Sequence, residues 1–524
     1  LPRYLSSNAK TVTMLWLITI LLCVCYSLWK QSYFSSRGVR TLPDKVPFFG
    51  NLTAVTFGRE NFVDTIAKGY EKFKSERYFG LYQYHVPTVV VTDLELIRQI
   101  MVRDFQSFTD RGIHIEDDCD PVFGRNLIML KGSKWRTMRT AILPAFSVSR
   151  CRNMMPLMNE CARAGIKFLH DNISQPKLLD VNTVTPYVND VIASCAFGFA
   201  LNTFNEPDNH LHKLAQKAAV QDTTQIMKFF GHANMKSLMK ILKIKMISTR
   251  DAENFSYLFK SALKARRENH APPRPDFIQT LVDAAQGKHK HESSDGNNNE
   301  LSTADKFTDD DLVAQAVLFY VAGYDTTANL INYFLCEMAD NPQIQERLRA
   351  ELNSLPGDDE IQDENIYEAI QGLQYLEMCV CEVLRLWPLV GSWDRRSVKN
   401  YDFGPVHEGS KSKLIAKAGI HVWFPTYCIH RDERYWPKPN ACVPERFAPG
   451  NKADIRPFTY MPFGNGPRHC IGARFAILTA KVFLVKFLRK YRVHATNKAS
   501  SRLAARAFVL RKADGFNVII EPIK

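Results

Sequence analysis

The chain lacks any recognisable cysteine framework. Its 12 cysteines include no Cys-x-x-Cys pair and no Cys/His cluster at zinc spacing, and Cys379 and Cys381 form only a Cys-x-Cys in a helical pattern. It has no G-x-G-x-x-G following a strand and no G-x-x-x-x-G-K-S/T, so no nucleotide site of its own is expected. There is no internal repeat, which argues against a solenoid or propeller. Charge is absent from Thr11 to Trp29, and acid is absent from Thr223 to Arg250. Each of these gaps is informative.

The uncharged run is 19 residues bracketed by Lys10 and Lys30. As a helix it rises roughly 28 Å, close to the hydrocarbon thickness of a bilayer. A cleaved signal peptide has a shorter apolar core and ends in small residues, whereas this run ends Tyr26-Ser-Leu-Trp-Lys30. Residues 11–29 are therefore read as an uncleaved transmembrane anchor. Arg3 and Lys10 precede it, while Lys30, Arg37, Arg40 and Lys45 follow. The bias places residues 1–10 in the lumen and the bulk of the chain in the cytoplasm. There, in a reducing environment, most cysteines are small buried hydrophobes, and the sequons at Asn51, Asn172 and Asn254 never meet the glycosylation machinery.

Residues 30–47 form a basic, proline-containing linker, expected to be stiff and extended through Arg40-Thr-Leu-Pro-Asp-Lys-Val-Pro. Residues 48–524 form one large domain, mainly α with a minor sheet. Amphipathic helical patterns run over 311–338 and 370–387, and Val89-Val-Val-Thr92 reads as a strand following a turn at Pro87. Thr308-Asp-Asp-Asp311 is a helix-opening capping box. Before it, 286–305 is a hydrophilic low-complexity loop whose His289 and His291 lack a third ligand.

With 68 Lys+Arg against 54 Asp+Glu, the net charge is +14, compatible with nucleic acid, an anionic membrane or an acidic protein. Part of the excess is local. Lys228, Lys236, Lys240, Lys243 and Lys245 interleave with Met227, Phe229, Phe230, Leu238, Ile241 and Leu242, the composition of a segment lying in a bilayer interface or of a helix pair with a solvated lysine face.

The strongest chemical signal is Phe463-Gly-Asn-Gly-Pro-Arg468-His-Cys470-Ile-Gly472, followed by a helical run. Glycines let the backbone wrap one sulfur so that amides and a helix N-terminus point at it, which lowers a thiol's pKa and favours metal ligation. An isolated cysteine in such a turn is ordinarily just a buried small residue. Three further pairs stand at helical spacing: Asp325 and Thr326 in Ala322-Gly323-Tyr-Asp-Thr-Thr327, Glu382 and Arg385 at i, i+3, and Trp135 and Arg139 at i, i+4.

Together these residues resemble the cytochromes P450. Phe463, Gly466, Arg468, Cys470 and Gly472 match that family's haem-ligand signature, Ala322 to Thr327 its distal-helix motif, Glu382-x-x-Arg385 with Arg446 of Pro444-Glu-Arg-Phe447 its buried network, and Trp135-x-x-x-Arg139 its propionate-binding pair. Stretches such as Phe123-Gly-Arg-Asn-Leu, Leu143-Pro-Ala-Phe146 and Asp394-Arg395 are most similar to insect members of the clan that includes broad-specificity vertebrate liver enzymes.

The resemblance implies the P450 fold and haem b held by Cys470. Phe463 and Gly472 belong to the cofactor cradle, Ala322 and Gly323 leave room for dioxygen, and Trp135, Arg139, Arg468 and either Arg395 or its competitor Arg396 bind propionates. Asp325 and Thr326 relay protons. It also implies a haem-thiolate monooxygenase that uses O2 and NADPH-derived electrons on lipophilic compounds, xenobiotics foremost, with endogenous lipids or hormones as the alternative. The partners implied are NADPH–cytochrome P450 reductase and, optionally, cytochrome b5, meeting a basic surface at Lys131, Lys134, Arg136, Lys438 and Arg474. The location implied is the endoplasmic reticulum membrane, and nucleic acid drops out. A reductase-independent P450 isomerase and a non-catalytic haem sensor remain as rival classes, neither of which needs an intact Asp325-Thr326 relay.

Overall fold

Thr308 opens the longest helix among the described residues, Asp309–Asp340. Its hydroxyl accepts from the Asp311 amide at 3.2 Å, and the Asp311 carboxylate accepts from the Thr308 amide at 2.9 Å, as the capping box requires. Three acids in the first turn face the positive end of the helix dipole. The helix is almost wholly buried, packed against Thr185–Phe197, Thr249–Arg267 and Ala473–Lys490. The computed structural model describes residues 2–179, 183–219, 222–268, 270, 274, 276–286, 307–357, 365–496 and 502–523. Most of the low-complexity stretch, from residue 287 on, lies outside them.

The architecture is mainly helical with small sheets. A four-stranded sheet runs Tyr78–Gln83, Val86–Val91, His421–Phe424, Trp393–Arg396, with the middle pair parallel and the outer pairs antiparallel. A second joins Lys177–Leu179, Val518–Pro522 and Tyr491–Ala495, and a third pairs Tyr401–Pro405 with Lys413–Ala416. Pro87 lies inside the strand Val86–Val91 rather than at a turn. It is tolerated because pairing with His421–Phe424 begins only at Thr88, leaving the proline paired on one side alone. The 370–387 pattern breaks into Ile366–Gln371 and Gln374–Leu386, divided by Gly372 and Leu373.

At the N-terminus a helix spans Pro2–Lys30, longer at both ends than the uncharged run. The stretch Met14–Arg37 is long and apolar enough to cross a membrane, and its side chains are mostly unburied in the protein. The linker packs against the domain that follows it. Phe34, Val39 and Leu42 are buried, the Phe34 amide donates to the Tyr82 hydroxyl at 3.0 Å, and Thr41 bridges Gly80. The end of the first helix is tied to it as well: the Phe48 amide donates to Ser27 Oγ at 2.8 Å, and Gln31 Nε2 to the Val46 carbonyl at 2.9 Å. Apolar side chains hidden among the prolines dock the linker onto the sheet.

Candidate active site

Cys470 sits in an irregular segment just before the helix Ala473–Lys490, for which Gly472 is the N-cap. Its amide donates to the Phe463 carbonyl at 2.9 Å, closing the loop on itself. Gly466 is needed there twice over, since its φ is +70° and a Cβ would stand 2.1 Å from the Met101 carbonyl oxygen. Burial pushes the Cys470 thiol up, and the Gly472 amide with the Arg139 and Arg111 guanidiniums pull against it. The lowering expected from the nest is present as a force, and burial outweighs it.

The sulfur faces a cavity of about 410 Å³ between this loop and the helix Asp309–Asp340. Ala322, Gly323 and Thr326 line its opposite wall, while Phe319, Val390 and Phe508 keep it apolar. Thr326 donates its hydroxyl to the Ala322 carbonyl at 2.7 Å. Gly323 serves close packing too, because a Cβ there would meet Ile192 Cδ1 at 3.1 Å. Asp325 lines the cavity beside Thr326. Its carboxylate accepts from Asn329 Nδ2 at 3.1 Å and is ion-paired with Arg511.

Along one edge of the cavity four guanidiniums converge. Arg468 donates to the carbonyls of Thr109, Leu127 and Leu130 at 2.9, 3.2 and 2.8 Å and lies 4.1 Å over the Trp135 ring. Arg139 sits 5.9 Å from the same ring and donates to the His469 carbonyl at 3.0 Å. Trp135 is thus both a core aromatic and part of the cavity wall. Arg111 pairs with Asp394 at 2.8 Å. Burial and the neighbouring cations hold Arg395 down to about 9 and Arg468 down to about 8, while Arg111 holds the buried Asp394 carboxyl below its usual range.

Asp394 and Asp110 do not balance these four guanidiniums, and the Nε atoms of Arg111 and Arg395 are buried without partners. The arrangement fits a ligand carrying two carboxylates beside a sulfur-ligated centre, as haem does. Strand alternation separates the two arginine candidates. Arg395 is buried and electrostatically coupled to Arg111 and Arg139, whereas Arg396 points to the opposite face, towards His421 and Lys236.

Behind the loop, Arg385 forms a bidentate pair with Glu382, Nε–Oε2 at 2.7 Å and Nη2–Oε1 at 2.8 Å, both side chains fully buried. Arg446 Nε adds a contact to Glu382 at 3.3 Å, and the Val443 amide one at 2.8 Å. Arg385 also donates to the carbonyls of His430 and Pro439, both at 2.7 Å.

Residues 41–518 match the family description Cytochrome P450. The chain belongs to the cytochrome P450 family. This P450 is similar to Cytochrome P450 9e2 of Blattella germanica, 35% identical over 511 residues, covering 92% of this chain and 93% of the relative. It is 34% identical to Probable cytochrome P450 9f2 of Drosophila melanogaster, with 96% and 98% covered, and 30% identical to Probable cytochrome P450 6a13 of the same fly, with 95% and 96% covered. The chain is an insect-type P450 monooxygenase, of a family whose cofactor is haem bound through a cysteine thiolate.

Sequence reasoning missed Arg111 and Arg511, which belong to no local motif. It also placed Lys131 on the surface with Lys134, Arg136, Lys438 and Arg474. Those four are exposed, but Lys131 is half-buried and faces Asp110, Glu116 and Arg396 instead.

Proposed function

We propose that this P450 inserts one oxygen atom of O2 into lipophilic substrates, chiefly xenobiotics, in the balanced reaction RH + O2 + NADPH + H⁺ → ROH + H2O + NADP⁺. The observation that supports it most is the apolar cavity with Cys470 on one wall, Ala322 and Thr326 on the other, and uncompensated guanidiniums at its edge.

Cys470 would ligate the haem iron, and Arg139, Arg395, Arg468 and Arg111 would hold its propionates against Trp135. When bound, the thiolate-ligated haem supplies activation of dioxygen. The remaining work belongs to the chain. Phe319, Val390 and Phe508 exclude water and hold the substrate by apolar contact. Thr326 presents a hydroxyl at the cavity wall, where it can accept and pass on a proton, and Asp325 behind it links that hydroxyl's helix to Arg511.

Electrons would come from NADPH–cytochrome P450 reductase, with cytochrome b5 as an optional donor. The exposed cations Lys134, Arg136, Lys438 and Arg474 suit an acidic flavoprotein. Residues 11–29 would anchor the chain in the endoplasmic reticulum membrane, with residues 30–47 and the catalytic domain from 48 on the cytoplasmic side. The lysine-rich segment supports that placement. Leu238, Ile241 and Leu242 are exposed there, Ile241 to 76%. Phe230 reaches Tyr84 at 6.3 Å and Tyr84 reaches Phe49 at 6.1 Å, so the helix before this patch packs near the segment that follows the linker.

Reconstitution with reductase and NADPH, followed by product identification over a panel of lipophiles, tests the reading. Oxygenated products that require both are expected, and Cys470→Ser should lose the thiolate-type Soret band of the reduced carbonyl complex. Turnover without reductase would favour a P450 isomerase, and no turnover at all a haem sensor.

A further inference from the structure

A second cavity, of about 290 Å³, adjoins the first, and both are lined by Arg111, Ile128, Ala218 and Phe508. It lies against one face of the four-stranded sheet. His421 and Trp423 alternate with Val422 on their strand, so they share a face, and the residues across from them are Arg396 and Asp394 rather than Arg395. From Trp423 a row of rings runs to the junction of the two cavities. Trp423 lies 6.2 Å from Phe62, Phe62 stacks on Phe508 at 5.7 Å, and Phe508 lies 4.5 Å from Phe229, centroid to centroid. All four line the chamber, so its wall is aromatic from the sheet to the edge of the Cys470 cavity.

The polar side chains set in this wall are engaged, with one exception. Gln83 Nε2 donates to Thr88 Oγ1 at 2.8 Å, Gln225 Nε2 to the Met246 carbonyl at 3.3 Å, and Ser392 Oγ to the Phe424 carbonyl at 3.1 Å. Asp394 accepts from Arg111 at 2.8 Å and from the Gly112 amide at 2.6 Å. His421 lines the same chamber and is only 4% exposed, yet its imidazole has no hydrogen-bond or ion-pair partner among the described residues. Gly112 makes room for the ring, since a Cβ there would stand 3.2 Å from His421 Nδ1.

Burial, with the charges of Arg396 and Lys236 outweighing that of Asp394, pushes His421 down to about 4. The ring is therefore neutral and carries one N–H to donate and one nitrogen to accept. Polar groups removed from water ordinarily have a partner, and an unpartnered neutral imidazole in an aromatic chamber calls for an uncharged hydrogen-bonding group that enters with an apolar body.

We propose that the second chamber is a recognition subsite for neutral aromatic lipophiles bearing a hydroxyl or keto oxygen, which His421 binds while the aromatic body lies along Phe62 and Phe508 towards the Cys470 cavity. This rests on the monooxygenase reading and narrows its substrate class. Of two lipophiles of equal shape, the one carrying such an oxygen is preferred.

Equilibrium dialysis of the full-length holoenzyme in nanodiscs against 4-phenylphenol and biphenyl, each corrected for uptake by empty nanodiscs, tests the proposal. The phenol should bind about tenfold more tightly, the size of one hydrogen bond to a group otherwise left unpaired. His421→Phe keeps a flat ring on the strand but no hydrogen-bonding nitrogen. It should bring the ratio close to one by weakening the phenol alone, with biphenyl binding and the carbonyl spectrum unchanged. His421→Leu makes the same comparison should the His421→Phe protein fail to hold haem. Equal binding of the two compounds by the native protein would overturn the proposal. So would a preference that survives in His421→Phe, which places the contact elsewhere, or an equal loss for both compounds, which leaves His421 a packing residue only. The carbonyl spectrum and the turnover of biphenyl by the native protein report separately on the monooxygenase reading.

Discussion

Arg511 closes on the carboxylate of Asp325 from a position 186 residues later in the chain, and Asn329 Nδ2 donates to the same carboxylate at 3.1 Å. The Asp325 carboxylate is thus anchored from two sides. In this pair the Arg511 side chain is one-third exposed and Asp325 almost buried.

Asp325→Asn keeps the size of the side chain and an acceptor for Asn329 but removes the charge. Product formation should fall by roughly 10²-fold, within the range for a lost general acid, with a larger solvent isotope effect. Haem content and the carbonyl spectrum should be unaffected. Because the variant also strands the Arg511 charge, Asp325→Asn/Arg511→Met separates the two effects. The double variant should regain stability without regaining rate; recovery of both would make the pair purely structural.

Glu382 receives two contacts from Arg385, one from Arg446 and one from the Val443 amide, all inside the protein. Removing one member of such a buried network leaves the others charged and unpaired, at a cost of about 3–5 kcal/mol. Glu382→Ala should lower the unfolding midpoint accordingly in denaturant titrations monitored at the haem. Arg385→Lys should fare almost as badly, since a lysine cannot reproduce the bidentate pair or reach the His430 and Pro439 carbonyls together. A change below about 1 kcal/mol, as for an exposed pair, would contradict the geometry.

What the sequence revealed and what it hid follow one physical distinction. Glu382 with Arg385, Trp135 with Arg139 and the Phe463–Gly472 loop are legible because each constraint acts within one helical turn or one tight loop, where few residue types satisfy it. Arg111 and Arg511 are not. Their partners Asp394 and Asp325 lie 283 and 186 positions away, and no local spacing marks an arginine whose role is set by tertiary contact. Lys131 was grouped with Lys134 by proximity, but it precedes the helix Gly132–Ile142 and turns inward while Lys134 turns out. In the linker, prolines suggest a stiff extended path, and Phe34, Val39 and Leu42, whose burial no local pattern marks, pack it against the domain. The segmentation at residues 10, 29 and 47 marks composition, whereas the helix Pro2–Lys30 runs through the first of these borders.

The two neighbouring arginines on the strand Trp393–Arg396 should separate cleanly. Arg395 is turned to the Arg111 and Arg139 side, with its Nε buried and unpartnered, and Arg396 to the Lys236 side. Arg395→Gln should speed haem transfer to apomyoglobin by about tenfold or more, the loss of one charge-assisted contact. Arg396→Gln should leave haem transfer at the native rate. Faster haem loss in the Arg396 variant alone would reverse the assignment.

His430 ties the buried Glu382–Arg385 network to the loop that leads to Cys470. One ring nitrogen, Nδ1, donates to the Arg385 carbonyl at 3.0 Å, and the other, Nε2, accepts from the Met461 amide at 2.8 Å. Burial, with the charges of Arg385 and Arg431 nearby, pushes its pKa from 6.5 down to about 3. A histidine depressed in the folded state binds its proton only on unfolding, so the unfolded chain takes up more protons throughout this window. Stability is therefore full above about pH 6.5 and drains away as pH falls, by about 1.4 kcal/mol per pH unit for this group. His421, pushed down to about 4, adds a similar slope over the upper part of the window. His430→Asn should be less stable than the native protein at pH 7.5, because it loses at least one of the two bonds. Between pH 6.5 and 4.5, however, its stability should fall with about 1.4 kcal/mol per unit less slope. Parallel curves for the two proteins in urea titrations across that range would show that His430 is already protonated in the fold.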